Sequence, residues 1–157
     1  MTVITDIPFC RTEITPGAQE AAVRVLASGW VTMGAETIAF EEELGGWVGA
    51  PHVVCVSSCT AAIQMALTGL GLPAGTPVLT PTLTFCGAVH AIVHAGLRPV
   101  LVDTDERTLT VSADGVARAA RHGAAAMVIQ HMAGYPADGA ELAAAASRAA
   151  TAGLSSR

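Results

Sequence analysis

Residues 77–103 read PVLTPTLTFCGAVHAIVHAGLRPVLVD, and this stretch decides the fold. It predicts a short apolar strand at 77–80, a helix over 85–95, and a second strand at 98–102 that ends at Asp103. Two strands joined through a helix are typical of a βαβ unit, in which the strands run parallel. The sequence therefore predicts an α/β protein built around a mainly parallel sheet.

The same alternation extends in both directions along the chain. Further strands are predicted at 53–56 and 126–130, and further helices at 16–28, 36–48, 60–70 and 113–122, with an Ala-rich helix after Asp138. The run at 53–56 is apolar throughout, as in strands that are covered on both faces. No repeat and no linker divides residues 1–157, so a single domain is expected.

Composition narrows the class of protein. The 157 residues are 52% hydrophobic and carry a net charge of −5, and all eight basic residues are scattered arginines. This argues against disorder and against nucleic acid as a partner. No apolar run is long enough to span a membrane and the N-terminus does not resemble a signal peptide, so we expect a cytoplasmic protein. Its four cysteines, which form no Cys-x-x-Cys pair, are predicted to be buried thiols.

Residues 56–61, Val-Ser-Ser-Cys-Thr-Ala, join a predicted buried strand to the start of a helix. Free backbone N–H groups and the positive end of the helix dipole make such a turn a site for a phosphate. The hydroxyls of Ser58 and Thr60 add donors. Ordinary capping of the helix by Ser58 is the alternative interpretation.

Two other segments follow predicted strands and should lie at the same carboxyl edge of the sheet, where open α/β sheets bind ligands. Phe85 ends the segment 81–85 and is either an aromatic platform for a planar ring or a core side chain. His131 opens the segment 131–138 and is either a site residue or a hydrogen-bonded structural residue.

Cys86, His90 and His94 recur every four residues on one predicted helix face. Two histidines at this spacing can bind zinc, but position 91 is Ala where zinc helices carry Glu, so a packed helix face is favoured and no metal site is predicted. The sequence also lacks the glycine-rich motifs of dinucleotide and Walker-type sites.

An ordered set of segments resembles the DegT–DnrJ–StrS family of sugar aminotransferases over about residues 7–138. The resemblance implies a three-layer αβα fold with a mainly parallel sheet, like the large domain of fold-type I transferases that use pyridoxal phosphate (PLP). Residues 139–157 form a divergent Ala-rich tail. The segments are IPF (7–9), SGWVTMG (28–34), FEEE (40–43), SSCTAA (57–62), PTLTF (81–85), RPVLVD (98–103) and HMAGYPAD (131–138).

The resemblance also implies roles for individual residues. The cofactor phosphate is expected at Ser58, Cys59, Thr60 and Ala61, with Cys59 where the family often has Gly, and Phe85 is expected to stack on the pyridine ring. The residues expected near a keto-sugar nucleotide are Trp30, Thr32, Gly34 and His131. Family members take the amino group from an amino-acid donor and usually work as dimers with shared active sites.

One departure from the family is clear. The family's Asp for the pyridine nitrogen and its Schiff-base Lys lie beyond the His131 segment, and this sequence contains no lysine. We therefore expect a truncated member of the family that is inactive alone, and we assign no catalytic residue in it. PLP is expected to bind non-covalently at most. Three alternatives stay open: a non-catalytic fragment or partner subunit, a dehydratase-type branch with His in place of Lys, and a small metal-binding α/β protein.

Overall fold

A computed structural model of the chain describes residue 8 and residues 10–154, with side chains through residue 148. Ile7 and Phe9, which open the resemblance, lie outside the described residues. The chain divides into two compact units, residues 1–55 and residues 56–157. Each unit is described by itself.

The first unit contains two helices, α1 at Pro16–Ser28 and α2 at Ala35–Val48. Thr15 caps α1 because its Oγ1 accepts a hydrogen bond from the N–H of Ala18 at 3.3 Å. The helix ends at Gly29, whose φ of 73° is the left-handed conformation that favours glycine. Both helices thus begin and end close to where the sequence predicts.

Helix α2 leaves most of its large apolar side chains exposed. Phe40, Trp47 and Val48 are exposed, and Gly45 is its buried residue. Glu41, by contrast, is half-buried. Its Oε1 accepts the N–H of Cys55 at 2.6 Å. Partial burial, followed by the charge and hydrogen bonding of the Glu41 carboxylate, raises the pKa of the Cys55 thiol.

The predicted strand at 53–56 is wrong. These residues have no strand conformation, and no parallel neighbour among the described residues forms a ladder with them. A strand exists only when a neighbour accepts and donates its backbone hydrogen bonds. The Cys55 N–H is bonded to the Glu41 side chain instead.

The second unit alternates helices and strands. In chain order they are α3 (Cys59–Gly69), β1 (Pro77–Pro81), α4 (Cys86–His94), β2 (Arg98–Val102), α5 (Ala113–Ala120), β3 (Ala126–Met127), a 3₁₀ turn (Met132–Gly134) and α6 (Gly139–Leu154). The strands form a parallel sheet in the order β2-β1-β3. The register places Pro77 opposite Arg98 and Val78 opposite Ala126. The strands predicted at 77–80 and 98–102 are confirmed, and the one predicted at 126–130 is confirmed only for Ala126–Met127.

Helices cover both faces of this sheet, because successive side chains of β1 point to opposite sides. Val78 packs with Leu67 of α3 and Ile92 of α4. Leu79 packs with Val116 of α5 and with Leu142 of α6. The predicted three-layer αβα fold is confirmed. The Ala-rich segment after Asp138 forms α6, which packs beside α5 on one face of the sheet.

The prediction of buried thiols is wrong for most of the cysteines. Cys10, Cys59 and Cys86 are exposed, and Cys55 is half-buried. Cys59 and Cys86 are the first residues of α3 and α4, so their side chains stand at helix ends and not in either core cluster. None of the helices in the described part of the chain is both long and apolar enough to cross a bilayer.

Candidate functional site

A cavity of about 370 Å³ opens beside the carboxyl ends of β1 and β3. Its walls come from the start of α3, from the segment between β1 and α4, and from the residues that follow β3. The lining residues are Cys59, Thr60, Ile63, Thr84, Phe85, Ala88, Val128, Ile129, Gln130 and His131. Four residues that the sequence singles out, Cys59, Thr60, Phe85 and His131, therefore share one cavity.

The start of α3 forms one wall. Ser58 has an extended backbone, and its Oγ accepts the N–H of Ala61 at 3.1 Å, so the predicted capping is confirmed. The Ser58 hydroxyl hydrogen stays available as a donor. The N–H groups of Cys59 and Thr60 precede the first intrahelical bond and point out of the helix start. This turn offers an anion several donors and the positive end of a helix dipole.

Phe85 forms the second wall. It is the N-cap residue of α4, and 72% of its surface is exposed, so the core interpretation is wrong. Gly87 makes its position possible. A Cβ at Gly87 would lie 2.9 Å from the Phe85 ring and would also collide with Thr60 Oγ1. A glycine at this position lets the ring and the Thr60 hydroxyl approach the same point of α4.

The third wall contains two residues that the sequence analysis missed. The Thr84 hydroxyl donates a hydrogen bond to Oε1 of Gln130, and the Phe85 N–H donates to the same oxygen at 3.3 Å. Gln130 is the polar residue that ends the apolar run 126–129. A polar side chain at the carboxyl end of a parallel strand is the signal by which it could have been found.

His131 is exposed at the rim of the cavity. Its Nδ1 accepts the N–H of Ala137 at 3.0 Å, which confirms the hydrogen-bonded structural interpretation. With Nδ1 as acceptor, the neutral ring carries its proton on Nε2. The second nitrogen is then a donor, so a structural role and a place in the cavity are compatible.

Trp30, Thr32 and Gly34 line a different pocket, of about 480 Å³, within the first unit. The indole Nε1 of Trp30 donates to the carbonyl oxygen of Met33 at 2.9 Å. A Cβ at Gly34 would lie 2.6 Å from the indole ring, so glycine is required for this compact turn. Ser58 and Ala61 shape the start of α3 without lining the cavity beside it.

The metal-binding alternative has no geometric support. The rings of His90 and His94 stack with their centroids 6.2 Å apart. Within the part of the chain that the structure describes, no three His, Cys, Asp or Glu side chains are grouped so that they could hold a metal ion.

The fold is that of known sugar aminotransferases. CalS13 from Micromonospora echinospora, a sugar aminotransferase, superposes with a TM-score of 0.83 over 94% of this chain and 40% of its own, at 33% identity. NtdA from Bacillus subtilis, solved with its cofactor PMP bound, superposes with a TM-score of 0.76 over 83% of this chain and 30% of its own, at 27% identity. The second unit thus has the α/β architecture of this class of transferase.

The sequence comparison identifies the family. The profile of the DegT/DnrJ/EryC1/StrS aminotransferase family matches residues 12–152. The spore coat polysaccharide biosynthesis protein SpsC of Bacillus subtilis (strain 168) is 37% identical over 119 residues, which are 76% of this chain and 31% of SpsC. This chain belongs to the DegT/DnrJ/EryC1/StrS aminotransferase family. It spans less than half the length of these relatives.

Proposed function

We propose that the residues around the cavity at the start of α3 form the phosphate- and ring-binding part of a PLP-dependent sugar aminotransferase. The observation that carries the proposal is a single cavity lined both by the exposed Phe85 ring and by the donor-rich start of α3. A planar ligand that ends in a phosphate needs these two features close together. When bound, PLP supplies the electron sink for amino-group transfer.

Each residue has a part in the proposed site. The N–H groups of Cys59 and Thr60 hold the phosphate together with the hydroxyls of Ser58 and Thr60. Ala61 fixes the helix start because its N–H is bonded to Ser58. The Phe85 ring stacks on the pyridine ring. His131 acts near the substrate as a donor through Nε2.

The substrates are proposed from the family. We infer a keto-sugar nucleotide as the acceptor and an amino acid, glutamate or glutamine, as the donor. SpsC, named for spore coat polysaccharide biosynthesis, and the sugar aminotransferase CalS13 support a sugar as the acceptor class. Trp30, Thr32 and Gly34, which line the pocket of the first unit, are the proposed sugar-proximal residues.

The covalent amine must come from outside these residues, because the 157 residues include no lysine. In the family that amine carries the proton and forms the bond to the cofactor. Within these residues the proposal is therefore limited to non-covalent binding. A further stretch of the same protein or a second polypeptide would supply the lysine, and we propose a cytoplasmic homodimer or a partner-dependent complex.

Equilibrium titration of the chain with PLP, pyridoxal and inorganic phosphate tests the proposal. Loss of the phosphate group removes charge-assisted hydrogen bonds, so pyridoxal should bind at least about 10-fold more weakly than PLP. Inorganic phosphate should compete with PLP. After borohydride treatment no cofactor should be attached to a side chain, since the 157 residues include no lysine.

Gly87→Ala and Gly69→Ala form a matched pair of variants. A Cβ at Gly87 strikes Thr60 and Phe85, whereas nothing lies within 4 Å of a Cβ at Gly69. We expect Gly87→Ala to weaken PLP binding by about 10-fold or more and Gly69→Ala to change it less than about two-fold. Equal affinities for PLP and pyridoxal, or no binding of either, would contradict the proposed function.

A further inference from the structure

Gln130 joins two segments that are far apart in sequence. Its side-chain oxygen accepts from the Thr84 hydroxyl and from the Phe85 N–H, across 45 to 46 positions of the chain. A backbone N–H can only donate, so the atom that faces Phe85 must be the amide oxygen. The hydrogen bonds therefore fix the orientation of the Gln130 amide as well as the position of the segment before α4.

The Phe85 side chain is largely exposed, so support for this residue falls on its backbone. Phe85 is 72% exposed, and α4 begins without a hydrogen bond from its N-cap side chain. Immobilising an exposed, freely rotating side chain on a ligand costs conformational entropy, which weakens binding. The oxygen of Gln130 holds the backbone of Phe85, while Gly87 leaves room for the ring.

We propose that Gln130 is a positioning residue for cofactor binding, which holds Phe85 ready to stack on the ring of the ligand. This inference rests on the proposed function and deepens it. The phosphate contacts proposed at the start of α3 use Ser58, Cys59 and Thr60 and do not include Gln130. The residue should therefore govern affinity for the aromatic part of the ligand and leave affinity for a bare phosphate unchanged.

Gln130→Met tests the inference, since methionine has a similar length and no oxygen to accept the two hydrogen bonds. We expect the dissociation constant for PLP to rise about 10-fold, which is the effect of losing one to two hydrogen bonds. The dissociation constant for inorganic phosphate should stay within about two-fold. The circular dichroism that bound PLP acquires from its fixed surroundings should fall at saturation, a change that a general loss of stability would not produce.

Thr84 provides a second, independent test. Thr84→Ser keeps the hydroxyl donor and Thr84→Val removes it, so Thr84→Val should bind PLP more weakly than Thr84→Ser. The double variant Gln130→Met/Thr84→Val should be little worse than Gln130→Met alone, because both changes remove one interaction. Gln64→Met is the matched control, since Gln64 is a half-buried glutamine that does not line the cavity.

The outcomes separate this inference from the proposed function. If the unmodified chain binds PLP better than pyridoxal, and Gln130→Met binds PLP as tightly as the unmodified chain does, the inference fails and the proposed function stands. Equal weakening of PLP and phosphate binding would also overturn it, because the role would then be general. A chain that binds neither PLP nor phosphate defeats both.

Discussion

Thr80 lies on the central strand β1 with 1% of its surface exposed. Its Oγ1 is the one buried side-chain oxygen or nitrogen without a hydrogen-bond partner among the residues that the structure describes. An unpaired hydroxyl in an apolar layer is costly, since it loses its bonds to water and gains none in return. Thr110 offers a comparison, because it is also buried, at 5% exposed, and its Oγ1 lies 3.1 Å from Thr108 Oγ1.

Thr80→Val is expected to raise the free energy of unfolding by about 1 kcal/mol, because it replaces the unpaired hydroxyl with a methyl group. Thr110→Val, which removes a paired hydroxyl, should lower it by about 1 kcal/mol. Urea denaturation at one protein concentration measures both changes. A stability loss in Thr80→Val would mean that its hydroxyl has a partner in solution.

Single residues also show how far the sequence could predict the site. The caps Thr15, Ser58 and Asp138 were predictable, because a short polar side chain before a helical run can accept a free N–H of the first turn. The link between Gln130 and Thr84 was not. This link depends on how two loops meet at the sheet edge. The distance between the Thr84 and Gln130 side chains cannot be predicted from the local sequence around either residue.

At the scale of elements, the strands differ in how well they could be predicted. Those at 77–81 and 98–102 pair with each other over their full length, because each has a neighbour in register. The strand predicted at 126–130 ends at Met127, and Val128 donates one last backbone bond to Leu79 at 2.8 Å. Apolar β-branched sequence indicates that a segment can form a strand, whereas the presence of a neighbour decides whether it does.

The packing of α6 shows whether the Ala-rich segment contributes to the stability of the fold. Leu142 is 2% exposed and packs in the core cluster with Leu79 and Val116. Leu142→Ala should lower the free energy of unfolding by about 2 to 4 kcal/mol through lost burial and a residual cavity. Leu70→Ala, at a 57% exposed position, should cost less than about 1 kcal/mol. Similar effects of the two substitutions in urea denaturation would show that α6 does not pack on the sheet.

On the scale of the whole molecule, each unit leaves large apolar side chains exposed. In the first unit they include Phe40 and Trp47, and in the second they include Val93 and Leu101. Apolar surface of this kind marks interaction sites in soluble proteins. It supports the proposal that the chain works with another copy or a second polypeptide.

We therefore expect the purified chain to self-associate in a concentration-dependent way. Light scattering coupled to size exclusion measures the mass directly. Trp47→Glu should shift the equilibrium toward the monomer, because it places a charge at an apolar position that is 85% exposed. A monodisperse monomer with a sharp, cooperative thermal transition would contradict the expectation.

The central claim is that the start of α3 and the Phe85 ring hold PLP without a covalent bond. A crystal structure of the chain grown with PLP tests it most directly. The account predicts phosphate density within hydrogen-bond distance of the N–H groups of Cys59 and Thr60, a pyridine ring stacked on Phe85, and no bond from the cofactor to a side chain. Cofactor density in any other cavity, or a covalent link to a side chain, would contradict the claim.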